Sequence, residues 1–202
     1  MRHYYLFLLL LPFLVLTCDD DDPIVPVPTP EPEPERFELA ELTGTVQKGP
    51  FLNGSILTLS ELDSNLNLTG RTFSGNIASN QGTFRFGSLA LANSKVAMSV
   101  NGFYFNEVSG RNSVAQLNLN TVVDLKNFLN ANVNVLGHLG WRRAEFLLGN
   151  MDFANAQDQA RQELLAMLEF TPPGPVAGFD QLDISDNNEG GAILLAASVI
   201  FQ

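Results

Sequence analysis

Apolar and polar residues alternate at every second position along most of the chain between Phe37 and about Asp124. Six segments show this alternation, and Gly, Asn, Ser or Pro residues separate them: 41–49, 54–62, 66–75, 82–89, 95–108 and 114–125. A period of two is that of a strand with one buried face, and short strands between turn residues are typical of an antiparallel sandwich or barrel. We therefore predict an antiparallel β-sandwich over residues 37–125, with Phe84 and Phe86 in its core.

The period lengthens after Asp124 to the three- and four-residue steps of helices. A first helix is predicted among residues 133–147, and "GNMD" at 149–152 ends it. A second helix should run from Phe153 to about Phe170, with Asp152 as its N-cap.

The remaining C-terminal sequence predicts a third helix. After the irregular connection 171–178, the continuous apolar run from Ala192 to Phe201 indicates that this helix is buried. The chain is thus predicted to be mainly β with α, its residues 126–202 forming a small region of about three helices. Because the run ends abruptly at Gln202 without a cap, a polar exit or a stop signal, we interpret the sequence as a truncated part of a longer protein.

The N-terminus combines a short basic start with a run of apolar residues. The 13 residues from Tyr4 to Leu16 carry no charge. A helix needs about 20 apolar residues to cross a hydrocarbon core of roughly 30 Å, so this run is too short to span a membrane. It fits the hydrophobic part of a secretory signal peptide, which we predict over residues 1–17.

Cys18 follows the apolar run directly and is the only cysteine of the chain, which excludes an internal disulfide. With the preceding "LVLT" it resembles the lipobox of bacterial lipoproteins, although Thr17 replaces the usual Gly, Ala or Ser. The resemblance implies a diacylated Cys18 as the mature N-terminus. Two acyl chains give a durable membrane tether where one is marginal. An incidental thiol in a cleaved signal is the alternative.

Four aspartates and a proline-rich stretch follow the cysteine. Asp19, Asp20, Asp21 and Asp22 resemble the acidic signal that sends lipoproteins of the Bacteroidetes group to the outer face of the outer membrane; a solvated spacer is the alternative. Residues 23–35 carry a proline at nearly every second position, which favours a polyproline rod of roughly 40 Å at ~3.1 Å per residue. Residues 18–36 are therefore predicted to be anchor, export signal and spacer.

The charge of the chain limits the classes of partner. Removal of residues 1–17 takes away Arg2 and no acidic residue, which changes the formal net charge from −11 to −12. Nucleic acid binding depends on Lys and Arg contacts to phosphates, so a nucleic acid partner is not expected.

Several motifs beyond the spacer resemble those of a family of Bacteroidetes surface lipoproteins: "GTVQKGPFLNGS", "ELDSNL", "TGRTFSG", "GTFRF", "GFYFNEVSG", "NVNVLGHL" and "DISDNNEGGAILLAASVI". The β-domain of that family is similar to the transthyretin-like, or carboxypeptidase-regulatory-like, sandwich. The resemblance covers most of residues 42–201. It implies a sandwich followed by a small helical region, with no catalytic residue.

Few residues are suited to catalysis. His138 is the only histidine after the signal, and the sequence has no GxSxG, HExxH, P-loop or CxxC motif. A carboxylate pair of the glycosidase type has five candidates, though an acidic sandwich offers such pairs by chance: Glu41, Glu61, Asp63, Glu107 and Asp124. We predict that the chain is not an enzyme.

Two segments are candidate binding sites. The loop 182–191 holds oxygen-bearing side chains that suit calcium, namely Asp183, Asp186, Asn188 and Glu189, but Asn188 replaces the glycine of an EF-hand; capping of the third helix by Asp186 or Asn188 is the simpler interpretation. Three consecutive aromatic residues, Phe103, Tyr104 and Phe105, cannot all face one core, so they predict a domain seam or, less favoured, an interaction edge.

These observations together predict a lipid-anchored cell-surface accessory, adhesive or scaffolding module without its own catalysis. It would face the exterior from the outer membrane, with an extracellular protein or glycan as partner and no cofactor apart from the calcium candidate. The alternative is the N-terminal accessory region of a larger surface hydrolase or carbohydrate-uptake component.

Overall fold

Short strands make up most of the fold, and three helices follow them. The structure is a computed structural model that describes residues 36–201. The strands are β1 (Phe37–Leu39), β2 (Leu42–Gln47), β3 (Ile56–Leu62), β4 (Leu68–Asn76), β5 (Thr83–Phe86), β6 (Leu89–Leu91), β7 (Lys95–Gly102), β8 (Phe105–Asn106), β9 (Arg111–Asn112), β10 (Leu117–Asp124) and β11 (Val133–Asn134). The helices are α1 (Val135–Leu147), α2 (Phe153–Met167) and α3 (Glu189–Ile200), with short 3-10 turns at Leu125–Asn127 and Phe179–Gln181. The prediction of a mainly β fold with three helices is confirmed.

Two sheets contribute side chains to one hydrophobic core. The larger sheet has the antiparallel order β10-β7-β3-β4, and the smaller has the order β11-β2-β5. Alternate residues of both sheets point into the same cluster, among them Leu57, Leu59, Met98 and Leu119 from the larger sheet and Leu42, Val46, Phe84 and Phe86 from the smaller. The predicted burial of Phe84 and Phe86 is confirmed. Each such side chain stabilises the fold by about 1.5–3 kcal/mol on burial.

Strand β11 departs from the prediction of a purely helical segment after residue 125. It pairs in parallel with the end of β2, so the smaller sheet is not entirely antiparallel. The backbone N–H of Thr45 also donates to Oδ1 of Asn132, just before β11, at 2.8 Å. A two-residue strand is too short to show a period of two in the sequence.

Helix α2 starts where the sequence predicts and ends slightly earlier. Helix α2 begins after Asp152, whose carboxylate accepts a hydrogen bond from the N–H of Asn155, so the predicted cap is confirmed. The helix ends at Met167, three residues before the predicted end.

Helix α3 is buried on one side only. Ile193, Leu194 and Ala197 face a cluster shared with α1 and α2, whereas Val199 and Ile200 are exposed. The predicted burial of this helix therefore holds for one face only. Its residues are apolar around the whole circumference, but neighbouring elements cover only one face.

Helices α1 and α2 cover the free edge of β10. The backbone N–H of Asn120 donates to Nδ1 of His138 at 2.9 Å, and Nε2 of Gln157 donates to the carbonyl of Val122 at 3.2 Å. An uncovered strand edge invites pairing with other chains, so these two side chains protect the sheet. His138 therefore serves packing, and its Nδ1 atom is occupied.

Candidate functional site

The predicted anchor residues lie outside the described part of the chain. These are Cys18 and the export aspartates Asp19, Asp20, Asp21 and Asp22, together with the signal peptide and the spacer. No helix within residues 36–201 has both the length and the apolar character needed to cross a membrane.

Asp183, the first candidate calcium ligand, connects the loop before α3 to strand β2. Its Oδ1 accepts from Nε2 of Gln47 at 2.8 Å and from the N–H and hydroxyl of Ser185, and its Oδ2 accepts from the Thr45 hydroxyl at 3.0 Å. Burial acts to raise the pKa of Asp183, but hydrogen bonds from Gln47, Ser185 and Thr45 outweigh it and lower this pKa. The carboxylate is thus a structural acceptor.

The other residues of this loop also serve local structure. Oδ1 of Asn188 accepts from the N–H of Gly191 at 2.9 Å and caps α3, so the capping interpretation holds for Asn188. Its Nδ2 contacts Asp186 at 3.4 Å. In the described ranges, no three His, Cys, Asp or Glu side chains come close enough together to hold a metal ion. The structure therefore does not bring Asp183, Asp186 and Glu189 together as a ligand set.

The three consecutive aromatic residues separate in the structure. Tyr104 packs against Phe51 with ring centroids 6.1 Å apart, whereas Phe103 and Phe105 are 41% and 38% exposed. The prediction that they cannot share one core is confirmed. Above the Tyr104 ring, at 5.0 Å, lies the ammonium group of Lys48.

Lys48 joins the β-sheet region to α3. Its side chain is buried, and Nζ donates to the carbonyl of Ser198 at 2.9 Å. Burial lowers the pKa of Lys48, and the charge of Glu107 opposes this effect. Burial likewise raises the pKa of Glu107, whose two oxygens have no hydrogen-bond partner among the described residues. Lys48 thus contacts both Tyr104 and α3, and the domain seam at Tyr104 stays a prediction.

The candidate carboxylates for catalysis mostly have partners of their own. Glu61 is only 2% exposed and binds Arg71 at 2.9 Å, Thr69 at 2.7 Å and the N–H of Ala92 at 2.7 Å. Its burial acts to raise the pKa, but these contacts lower it overall. The other partners are Arg85 for Glu41, Asn65 and Asn67 for Asp63, and Lys95 for Asp124.

A cleft lies between the larger sheet and the helices. Its volume is about 650 Å³. Five parts of the chain form its walls: the β3–β4 hairpin with Leu62, Leu66 and Leu68; strands β7 and β10 with Ala97, Val122 and Asp124; Phe128 after the first 3-10 turn; helices α1 and α2 with Trp141 and Phe153; and the segment 176–181 with Phe179 and Asp180. These walls are largely apolar, which is typical of sites for organic ligands.

The charged groups of the cleft are paired with one exception. Arg161 binds Asp158 at 2.9 Å, and Arg142 binds Glu145 at 3.0 Å. Asp124 has Lys95 at 3.8 Å. The fourth carboxylate, Asp180, has no cationic group within 4.0 Å in the described part of the chain; its Oδ2 accepts from the neutral side-chain amide of Gln181, at 3.2 Å.

The surroundings of Asp180 disfavour its charged form. Burial raises the pKa of this carboxyl, and the negative charge of Asp124 raises it further. Hydrogen bonding by Gln181 and the positive charge of Arg161 act in the opposite direction without cancelling the increase. A carboxylate with a raised pKa in a cleft marks a candidate functional site.

Asp180 was not among the residues predicted from the sequence. It belongs to an irregular segment after the proline-rich connection, and its neighbours in the cleft are distant in sequence. The only signal in the sequence was the short "GFDQ" stretch at 178–181, in which an acidic residue follows an aromatic one.

Comparison with known proteins gives no relative from which a role could be transferred. No protein-family model matches the chain, and neither curated proteins nor solved structures show a significant match.

Proposed function

We propose that the protein is a lipid-anchored cell-surface accessory module with a binding, adhesive or scaffolding role and no catalysis of its own. The order of its N-terminal segments carries this proposal: an uncharged run, Cys18, four aspartates and a proline-rich spacer precede the folded part. In this order the signal is removed, Cys18 receives acyl chains, and the spacer holds the folded part away from the membrane. The outer membrane, with exposure to the exterior, is the proposed location.

The folded part would then present a ligand-binding surface. We assign its β region to a transthyretin-like sandwich of the kind found in surface lipoproteins of the Bacteroidetes group. The four-stranded and three-stranded sheets that share one core support this assignment. The cleft at Asp180 supports a binding role, because its apolar walls suit an organic ligand and its carboxylates mostly have structural partners.

Mass spectrometry of the N-terminal peptide, combined with protease treatment of intact cells, tests the anchor and the location separately. We expect a diacylated Cys18 and cleavage of the chain without disruption of the outer membrane. A Cys18→Ser variant should lose the acyl mass. A variant with Asn at positions 19–22 should keep the acyl mass but become protected from the protease. An unmodified Cys18 in the native membrane fraction would refute the proposal.

The exposed side of α3 favours a second candidate, the accessory region of a larger surface hydrolase or carbohydrate-uptake component. Leu195, Val199 and Ile200 present an apolar face that suits contact with a further protein part. A Val199→Asp variant should then fold but no longer co-purify with a surface hydrolase or uptake protein that wild type retains. If wild type retains no such protein, the first proposal is preferred.

A further inference from the structure

We propose that the cleft between the larger sheet and the helices binds a small organic ammonium compound, whose cation pairs with Asp180 and whose apolar part packs between Trp141 and Phe179. This inference goes beyond the anchoring role and is independent of it. The cleft would bind such a compound whether or not Cys18 is acylated.

The size and walls of the cleft fit an organic molecule rather than a single ion. A volume of about 650 Å³ lies within the range of roughly 300–1,000 Å³ that small-molecule sites occupy. The lining includes four aromatic side chains, from Phe128, Trp141, Phe153 and Phe179. Aromatic faces attract cations as well as apolar groups. Lys95 illustrates this at the cleft, since its ammonium lies 5.8 Å from the Phe153 ring centroid.

The distribution of charge in the cleft indicates that the ligand carries a positive charge. Three of the four carboxylates in the lining have a Lys or Arg within 4.0 Å, and among the described residues Asp180 alone does not. A partly buried carboxylate without an ionic partner is unfavourable, and an ammonium group would supply a charge-assisted hydrogen bond. Arg161 forms its ion pair with Asp158 and not with Asp180. A cationic ligand would therefore supply the ionic partner of Asp180.

The same contacts argue against other ligand types. An anionic ligand would need a free guanidinium, but Arg142 and Arg161 each bind a carboxylate within 3.0 Å. A metal ion would need several acidic or histidine ligands, and the described residues do not provide such a group. A neutral ligand would leave Asp180 without a counterion.

The backbone at Leu66 supplies an independent observation. This residue lines the cleft although its φ of +63° is a conformation that branched apolar residues rarely adopt. Gly or Asn would suit such a turn position better. Strained residues cluster at ligand sites, and here the strained leucine forms part of the apolar wall. Leu66→Gly should therefore weaken ligand binding without lowering the melting temperature.

Trp141 makes a direct binding assay possible. It is the only tryptophan of the chain and lies in the wall of the cleft. The full chain would be titrated at pH 7 with 2-phenylethylamine, 2-phenylethanol and phenylacetate while Trp141 fluorescence is recorded. These probes have similar apolar parts and differ in charge. We expect a saturable change with the amine and at least about tenfold weaker binding of the alcohol, equivalent to about 1.4 kcal/mol.

Two variants test the assigned residue. Asp180→Asn keeps the shape of the side chain and should remove the preference for the amine. Asp186→Asn makes the same change in net charge in an exposed loop outside the cleft and should leave binding unchanged. Melting curves show whether the variants fold. If Asp180→Asn does not fold, the comparison of the three probes on wild type still tests the proposal. Equal affinity for amine and alcohol, tighter binding of phenylacetate, no saturable signal, or an unaffected folded Asp180→Asn would overturn the proposal.

Discussion

Adjacent leucines of α3 provide a sharp test of how this helix is held. Leu194 is 0% exposed within the core shared with α1 and α2, whereas Leu195 is 39% exposed. A buried Leu→Ala substitution costs about 2–5 kcal/mol, because it removes apolar contacts and leaves a cavity. We expect Leu194→Ala to lower the free energy of unfolding by about 3 kcal/mol. Leu195→Ala should lower it by at most about 1 kcal/mol, since much of its surface is already in water.

Urea unfolding of the full chain, followed by circular dichroism, measures both losses, and thermal melting checks them. For a protein of this size, 1 kcal/mol corresponds to about 2–4 °C, so Leu194→Ala should lower the melting temperature by about 6–12 °C. Both substitutions make the same chemical change at adjacent positions of the same helix, which makes Leu195→Ala a matched control. Equal losses, or a greater loss at Leu195, would refute the burial of α3 on the side of Leu194.

The result also bears on the whole helix. Deletion of residues 192–202 should lower the melting temperature, because it uncovers the core that Leu194 fills. If the deletion changes nothing, α3 belongs to contacts with another protein part rather than to this core.

Two further substitutions test contacts around α3. Lys48→Met removes the hydrogen bond to Ser198 and should lower the free energy of unfolding by about 2 kcal/mol. Adding Glu107→Gln should recover part of that loss, which a double-mutant cycle in urea would measure. Asn188→Ala removes the N-cap bond to Gly191 and should cost about 1 kcal/mol, whereas Asn188→Ser should retain most of the stability in the same assay.

The sequence predicted those features that depend on neighbouring residues. Strand β5 and helix α2 each bury one face, so the period of their apolar residues reports their structure directly. Caps follow from local chemistry, and both Asp152 and Asn188 cap helices. These features need no knowledge of distant contacts.

Features that depend on distant contacts were not predictable. Strand β11 has only two residues and exists because β2 lies beside it. The apolar residues of α3 do not indicate which side is covered, since that depends on α1 and α2. The cleft combines five separate parts of the chain, and Asp180 differs from other aspartates only through its surroundings.

Asp180 and Asp183 lie three residues apart and should affect stability with opposite dependence on pH. Burial raises the pKa of Asp180 in the folded protein, so its unfavourable effect grows as pH rises from about 3.9 through the folded-state value. Hydrogen bonds lower the pKa of Asp183 despite burial, so its favourable effect is present above about 3.9 and is lost as pH falls through the folded-state value.

Urea unfolding of two variants between pH 7 and pH 3 measures this difference. Relative to wild type, Asp180→Asn should be more stable at pH 7, and this advantage should shrink on acidification because the wild-type carboxyl becomes neutral. Asp183→Asn should be less stable at pH 7, because an amide cannot accept all the bonds from Gln47, Thr45 and Ser185. Its deficit should also shrink as wild type is protonated. The same sign for both variants at pH 7 would contradict the described surroundings of Asp180, since both carboxylates are partly buried without an ionic partner and only Asp183 has several hydrogen bonds that outweigh the burial.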